Sequence, residues 1–208
     1  VFGIFGDYAL DCAPTCELLF QDPVEASKQV VEEIKQKEEV DMIVCVSHSG
    51  TSDNEKKSED EILAKEVPDI DLIVSGHSHT LLEEPILHGD TYIVSCGEYG
   101  KHLGTMSMEQ KENGRWALQE YELVPITENL AEDAKTKDKI AGFMECVDDT
   151  YLSQFGYTKD QVLATNDVAF TELDDLLELH EEQNLGNIVA DGYAYAVEQL
   201  PQFAGDEV

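Results

Sequence analysis

The chain has 208 residues, 42% of them hydrophobic, enough for one full domain or parts of two. Its 45 acidic residues against 13 Lys and Arg give a formal net charge of -32, which excludes a nucleic-acid polymer as partner, because binding a phosphate backbone needs clustered cations. No apolar run reaches the roughly 18 residues of a membrane-spanning helix, and the five cysteines, odd in number and irregular in spacing, describe no disulfide framework.

Val1 to Gly6 is apolar from the first residue and predicts a strand already under way. The chain therefore reads as part of something longer, and the lack of a targeting segment says nothing about location. Asp7 to Phe20, with Pro14, reads as irregular. Asp22-Pro23 then opens a helix: Asp22 can cap it, Pro23 suits its first turn, and Val24, Ala26, Val30, Val31 and Ile34 supply an apolar face. Met42 to Ser47 is an apolar run closed by His48. Ser58 to Val67 predicts a helix with Ile62, Leu63 and Val67 on one face, stopped by Pro68. Leu72 to Val74 is a second apolar run. It ends at Gly76 and is followed at once by His77 and His79.

Strand, helix, strand makes a βαβ unit, whose crossover sets its two strands parallel with their carboxyl ends on one edge of the sheet. Neighbouring strands lie about 5 Å apart, so His48, His77 and His79 are expected to converge there. Ligands collect at that edge in open α/β sheets, and neutral imidazole is the commonest protein ligand for divalent transition metals. Any one strand-end histidine is more often structural than ligating; it is the set that points to a metal.

Past His79 the pattern predicts short antiparallel pieces. Pro85 to His88 and Thr91 to Cys96 flank a Gly89-Asp90 turn, with His88 as an exposed strand end. Asn113-Gly114 marks a second hairpin, between Leu103 to Glu109 and Trp116 to Val124. Cys45 and Cys96 read as small core residues, although a structural zinc made from them with the histidines stays open. Glu83 and Glu84 read as surface residues. Leu130 to Phe155 is largely helical, with Ile140, Phe143, Met144, Val147, Tyr151 and Leu152 as a stripe that packs on a core or between domains. A strand pair, Val162 to Ala164 and Val168 to Phe170, begins a different unit, followed by an acidic stretch from Glu172 to Gln183 and a helix from Leu185 to Leu200 ended by Pro201.

Three stretches in order, Val46-Ser47-His48-Ser49-Gly50, Gly76-His77-Ser78-His79-Thr80 and Cys96-Gly97-Glu98-Tyr99-Gly100-Lys101-His102-Leu103-Gly104, closely resemble the second half of the metallophosphoesterase domain of the 5'-nucleotidase family. That calcineurin-like family includes the UDP-sugar hydrolases and 2',3'-cyclic-nucleotide phosphodiesterases. Asn184-Leu185-Gly186-Asn187-Ile188-Val189-Ala190-Asp191 resembles the opening helix of the family's C-terminal domain.

The resemblance implies an α/β fold: the second half of an α/β/β/α sandwich over 1–126, an interdomain linker helix over 127–157 and the start of an α+β substrate-binding domain over 158–208. It further implies two divalent ions, zinc, manganese or similar. His48 and His77 would ligate one and His79 the other, with Asn187 near the substrate. The substrate would be a nucleotide or other small phosphate ester, in an extracellular, cell-wall or periplasmic setting. The first half of the family's domain, which carries its Asp-x-His, Gly-Asp and Gly-Asn-His-Glu motifs, has no counterpart in this sequence. The basic residue that precedes the Leu-Gly-Asn helix in the family is also missing, with His180 the one candidate nearby. Charge leads to the same gap: two divalent ions carry four positive charges and three neutral imidazoles none, so carboxylates must complete the site. The 208 residues alone are therefore expected to be inactive. The other reading is a non-catalytic metal- or ligand-binding module of a larger surface protein.

Overall fold

A computed structural model describes residues 1–172, 181–201 and 203. It falls into two units, Val1–Ala131 and Glu132–Val208.

In the first unit, strands β1 (Phe2–Phe5), β2 (Val44–His48), β3 (Leu72–Ser75), β4 (Ile86–His88) and β5 (Thr91–Val94) form one sheet in the order β1-β2-β3-β5-β4. The first four in that order are parallel, and β4 is antiparallel at the edge. Helices α2 (Pro23–Lys37) and α3 (Glu59–Glu66) supply the crossovers. At the start of α2 the Asp22 carboxylate accepts the Glu25 N–H at 2.9 Å, and Pro23 occupies the first turn, as its sequence predicts.

The core lies on one face of the sheet. Cys45, Ile73 and Ile93 are neighbours across three strands and wholly buried. Val31 of α2 and Leu63, Ala64 and Val67 of α3 close over them. On the opposite face Phe5, Val46 and Val74 keep 42%, 50% and 40% of their surface. A long hairpin, β6 (His102–Gln110) and β7 (Trp116–Pro125), turns at the predicted Asn113-Gly114. It is tied to the sheet by side chains: Tyr121 donates its hydroxyl to the Leu82 carbonyl at 3.0 Å, and the Trp116 indole donates to the Asp41 carbonyl at 2.9 Å.

Several expectations change. Asp7–Asp11 forms a short helix, α1, within the segment read as irregular. The hairpin from β4 to β5 is antiparallel as expected, but β5 also pairs parallel with β3. Its carboxyl end therefore reaches the same edge as those of β2 and β3. Cys45 is buried, whereas Cys96, just beyond β5, is exposed. His88 is not a free strand end: its Nε2 meets Glu61 of α3 at 2.6 Å, with 21% and 9% of the two side chains exposed. Glu83 and Glu84 are exposed as expected.

In the second unit, α4 (Ala134–Thr150) begins at Asp133, whose carboxylate accepts the Thr136 N–H at 2.8 Å. A short 3-10 turn over Leu152–Phe155 follows, ended by Gly156 at φ 74°. Among the described residues none of the expected stripe on α4 is buried, and Ile140 and Phe143 remain 54% and 61% exposed. No strand forms over Val162 to Ala164 or Val168 to Phe170. There the Asn166 side chain bonds the Val168 backbone, an Asx-type turn that competes with strand pairing. Helix α5 (Asn184–Glu198) forms near the predicted bounds, also without buried residues. His180 and most of the acidic stretch lie outside the described residues.

Candidate metal centre

His48 is the last residue of β2, and His77 stands two residues past β3. Because the strands are adjacent and parallel, the two rings meet with centroids 5.0 Å apart, edge to face. Phe5, the register partner of His48 on β1, stacks on the other side of the His48 ring at 5.8 Å.

The backbone brings this pair together by a close approach of two loops. Gly76 gives no side chain where a Cβ would stand 3.2 Å from the Ser47 carbonyl oxygen and 3.5 Å from His48 Nδ1. Gly50, at φ 95°, lies against Ser78, whose Cβ would be 2.9 Å from any added Cβ. Ser78 Oγ accepts the Thr51 N–H at 3.1 Å, and Thr51 Oγ1 donates to Thr80 Oγ1 at 3.0 Å. Beneath both loops the fully buried Asp60 accepts the Ser47 hydroxyl at 2.5 Å and the Gly50 N–H at 3.2 Å. Burial pushes the Asp60 carboxyl above its ordinary range, against those hydrogen bonds.

The edge is also strained. Among the described residues the non-glycine positions with positive φ are His77 (72°), His79 (56°) and Tyr99 (51°), all in the loops that follow β3 and β5. The Ser78 N–H bonds the Gly76 carbonyl at 2.9 Å across His77, a γ-turn of the rare, strained kind.

His77 is half-buried, and burial, reinforced by the charges of His48 and His79, holds its pKa below the ordinary value. A neutral imidazole with a free lone pair is what a metal requires. His79 has partners in the loop after β5: its Nδ1 is 2.8 Å from Glu98 Oε2, and its ring packs edge-on against Tyr99 at 5.5 Å. Among the described residues no three His, Cys, Asp or Glu side chains stand close enough to enclose an ion by themselves. That overturns the option of a zinc built from Cys45 and Cys96. The donors present fit a share of a metal centre, two imidazoles from adjacent strands, and the carboxylates that charge balance demands are not among them.

Glu98 is the residue that sequence reasoning missed. The hydrogen bond from the Lys101 ammonium is the largest influence holding the Glu98 carboxyl below its usual range; desolvation opposes it, and the charge of Lys101 and then His79 add to the lowering. A third apolar run, Thr91 to Val94, ends just before Gly97-Glu98, which repeats the strand-then-loop signal of His48 and His77. Asn187 stands exposed on the first turn of α5, where its amide donates to Glu182 at 3.1 Å.

The fold is that of the 5'-nucleotidase metallophosphoesterases: a mixed α/β unit with a parallel sheet that matches the 5'-nucleotidase precursor of Thermus thermophilus with a TM-score of 0.66 at 26% identity, over 86% of this chain and 36% of that one. In sequence the chain is 30% identical over 198 residues to the trifunctional nucleotide phosphoesterase YfkN of Bacillus subtilis, which covers 92% of this chain and 12% of that protein. It is 28% identical over 204 residues to the 5'-nucleotidase of Vibrio cholerae, covering 82% of this chain and 36% of the relative. No family model matches. The chain is related to the 5'-nucleotidase family of nucleotide phosphoesterases, and it spans between about an eighth and about a third of the length of these relatives.

Proposed function

We propose that this chain supplies the histidine edge of a two-metal phosphohydrolase that cleaves phosphate esters of nucleotides. The observation that carries the reading is the meeting of His48 and His77 at the carboxyl ends of adjacent parallel strands, 5.0 Å between ring centroids. Divalent ions bound in such a centre hold phosphate oxygens and lower the pKa of a coordinated water. The chain's own part is to present donors in a fixed geometry. His77 is kept neutral by burial, the His48 ring is backed by Phe5, and the Thr51-Ser78-Thr80 hydroxyls lock the two loops together. In this reading His79 serves a second ion and Asn187 lies near the substrate. The segments 1–126, 127–157 and 158–208 are respectively the later part of the catalytic domain, a linker helix and the start of the substrate domain. The working compartment is outside the cytoplasm.

The remaining carboxylates come from elsewhere in the longer protein, so the 208 residues alone bind metal weakly and turn over nothing measurable. The test is hydrolysis of a nitrophenyl phosphate with manganese, by this chain and by the longer protein that contains it. Activity in the longer protein alone, lost in His48→Ala and His77→Ala, is expected. Comparable activity from both would overturn the division of the site. Inactivity of the longer protein with every metal tried would favour the non-catalytic binding module.

A further inference from the structure

We propose that Glu98 is a positioning residue for His79, one that fixes which of its ring nitrogens carries the proton; its relevance to a metal rests on the function proposed above. An ionised carboxylate can only accept hydrogen bonds. At 2.8 Å from Glu98 Oε2, Nδ1 of His79 must therefore be the protonated nitrogen. The neutral ring then keeps its lone pair on Nε2. A carboxylate behind an imidazole is the arrangement by which proteins orient a ligating histidine and raise its basicity.

The loop after β5 is built to hold that carboxylate still. Glu98 divides its two oxygens: Oε2 faces His79, and Oε1 accepts the Lys101 ammonium at 2.6 Å. The Lys101 N–H closes a tight turn onto the Glu98 carbonyl at 3.0 Å. Its ammonium lies 5.7 Å from the centroid of the Tyr99 ring, and that ring packs against His79. Gly97 and Gly100 adopt φ 79° and 67°, and between them Tyr99 is held at φ 51°. A left-handed tyrosine is strained, and a turn needed only to connect β5 to β6 would place a glycine or asparagine there. The Tyr99 ring instead meets the imidazole edge to face. The Glu98–Tyr99–Lys101 turn thus contacts His79 by one hydrogen bond and one aromatic ring.

A solvent-exposed ion pair would give the same short distance with a doubly protonated ring, and long-range proton–nitrogen correlation spectra of the metal-free protein at mildly alkaline pH separate the two. His79 is expected to show a protonated Nδ1 and an unprotonated Nε2. Glu98→Ala should shift it toward the Nε2–H form. Glu98→Gln, whose amide oxygen can still accept, should restore the wild-type pattern. Zinc affinity should fall about 10- to 100-fold in Glu98→Ala and less in Glu98→Gln. An Nε2–H tautomer in the wild type, a doubly protonated ring there, or an unchanged tautomer in a folded Glu98→Ala would each overturn the proposal. Should zinc fail to bind the wild type while the tautomer follows Glu98, the metal reading falls and the positioning role stands.

Discussion

Replacing Gly50 by alanine tests whether the two histidine loops depend on direct backbone contact. The substitution adds one methyl group at φ 95°, and the new Cβ would lie 2.9 Å from Ser78 Cβ. The left-handed conformation costs about 1–2 kcal/mol for a residue with a Cβ. Carbon atoms in contact rest about 3.5–4.0 Å apart, so Ser78 must retreat by about 0.6–1 Å, at a packing cost of about 1–3 kcal/mol. The sum is about 2–5 kcal/mol. With a urea slope of about 2 kcal/mol/M, the unfolding midpoint should fall by about 1–2.5 M. Gly114→Ala is the internal control. Gly114 sits at φ 80° with nothing within 4 Å of an added Cβ, so it carries the conformational cost alone. Because Ser78 adjoins His77, the ring resonances of His48 and His77 should also move in Gly50→Ala and stay put in Gly114→Ala. Equal midpoint shifts for the two variants, with unmoved histidine signals, would refute the claim that the loops are set by this contact.

His77→Gly should be more stable than His77→Ala by about 1 kcal/mol in the same urea assay, because glycine relieves the left-handed strain; glycine the less stable of the two, as in an ordinary helix or strand, would show that no strain is stored there. For Glu61, burial opposes ionisation, but hydrogen bonds from Ser58 and His88 and the charges of His88 and Lys65 outweigh it and hold the carboxyl below its ordinary 4.5. The stability this contributes is present above 4.5 and lost as pH falls through the lower folded value. His88→Ala should accordingly destabilise the protein by about 1–3 kcal/mol at neutral pH, and its deficit should shrink once the pH falls below 4.5, where Glu61 loses its charge; a deficit undiminished in strong acid would contradict the pairing. Burial, with the nearby charge of Asp60, pushes the Cys45 thiol up to about 12, while Cys12, Cys16, Cys96 and Cys146 are exposed. A thiol reagent at pH 8 should therefore titrate four cysteines in the native protein and the fifth only after denaturation; fast reaction of all five would place Cys45 outside the core.

The histidine edge was legible in the sequence wherever the signal was local. The runs that lead to His48 and His77 are apolar and short, each with a glycine within two residues of the histidine, and the Asp22-Pro23 start of α2 is a cap that works through its own next turn. What the sequence does not carry is the identity of a strand's distant partner. Gly89-Asp90 announces the β4–β5 hairpin, but nothing near Thr91–Val94 says that β3 lies on its other side. Glu98 was overlooked for that reason: the apolar run and glycine ahead of it give the same local signal as at His48 and His77, but only the pairing of β5 with β3 puts that signal at the histidine edge. The His88–Glu61 pair escaped notice similarly, being a contact between an edge strand and a helix 27 positions earlier. The α4 stripe shows the converse. A 3.6-residue apolar period says that a helix has a face to cover, and it is the same period whether or not the described residues provide the cover.

The strain at this edge bears on function because of which residues carry it. A chain that merely had to turn after β3 and β5 could use glycine, as it does at Gly97 and Gly100. It instead places two imidazoles and a phenol in the left-handed region, at about 1–3 kcal/mol each, out of a total stability that in most domains is about 5–15 kcal/mol. Such a cost persists only where surrounding bonds over-determine the backbone, and here they do. The γ-turn at His77 is closed by the Ser78 N–H, Ser78 is tied to Thr51 and Thr80, and the turn over Tyr99 is closed by the Lys101 N–H on the Glu98 carbonyl. None of these bonds uses an imidazole. The side chains that make the backbone expensive are thus not the ones that hold it, and the chemistry of the rings is what remains to account for their presence.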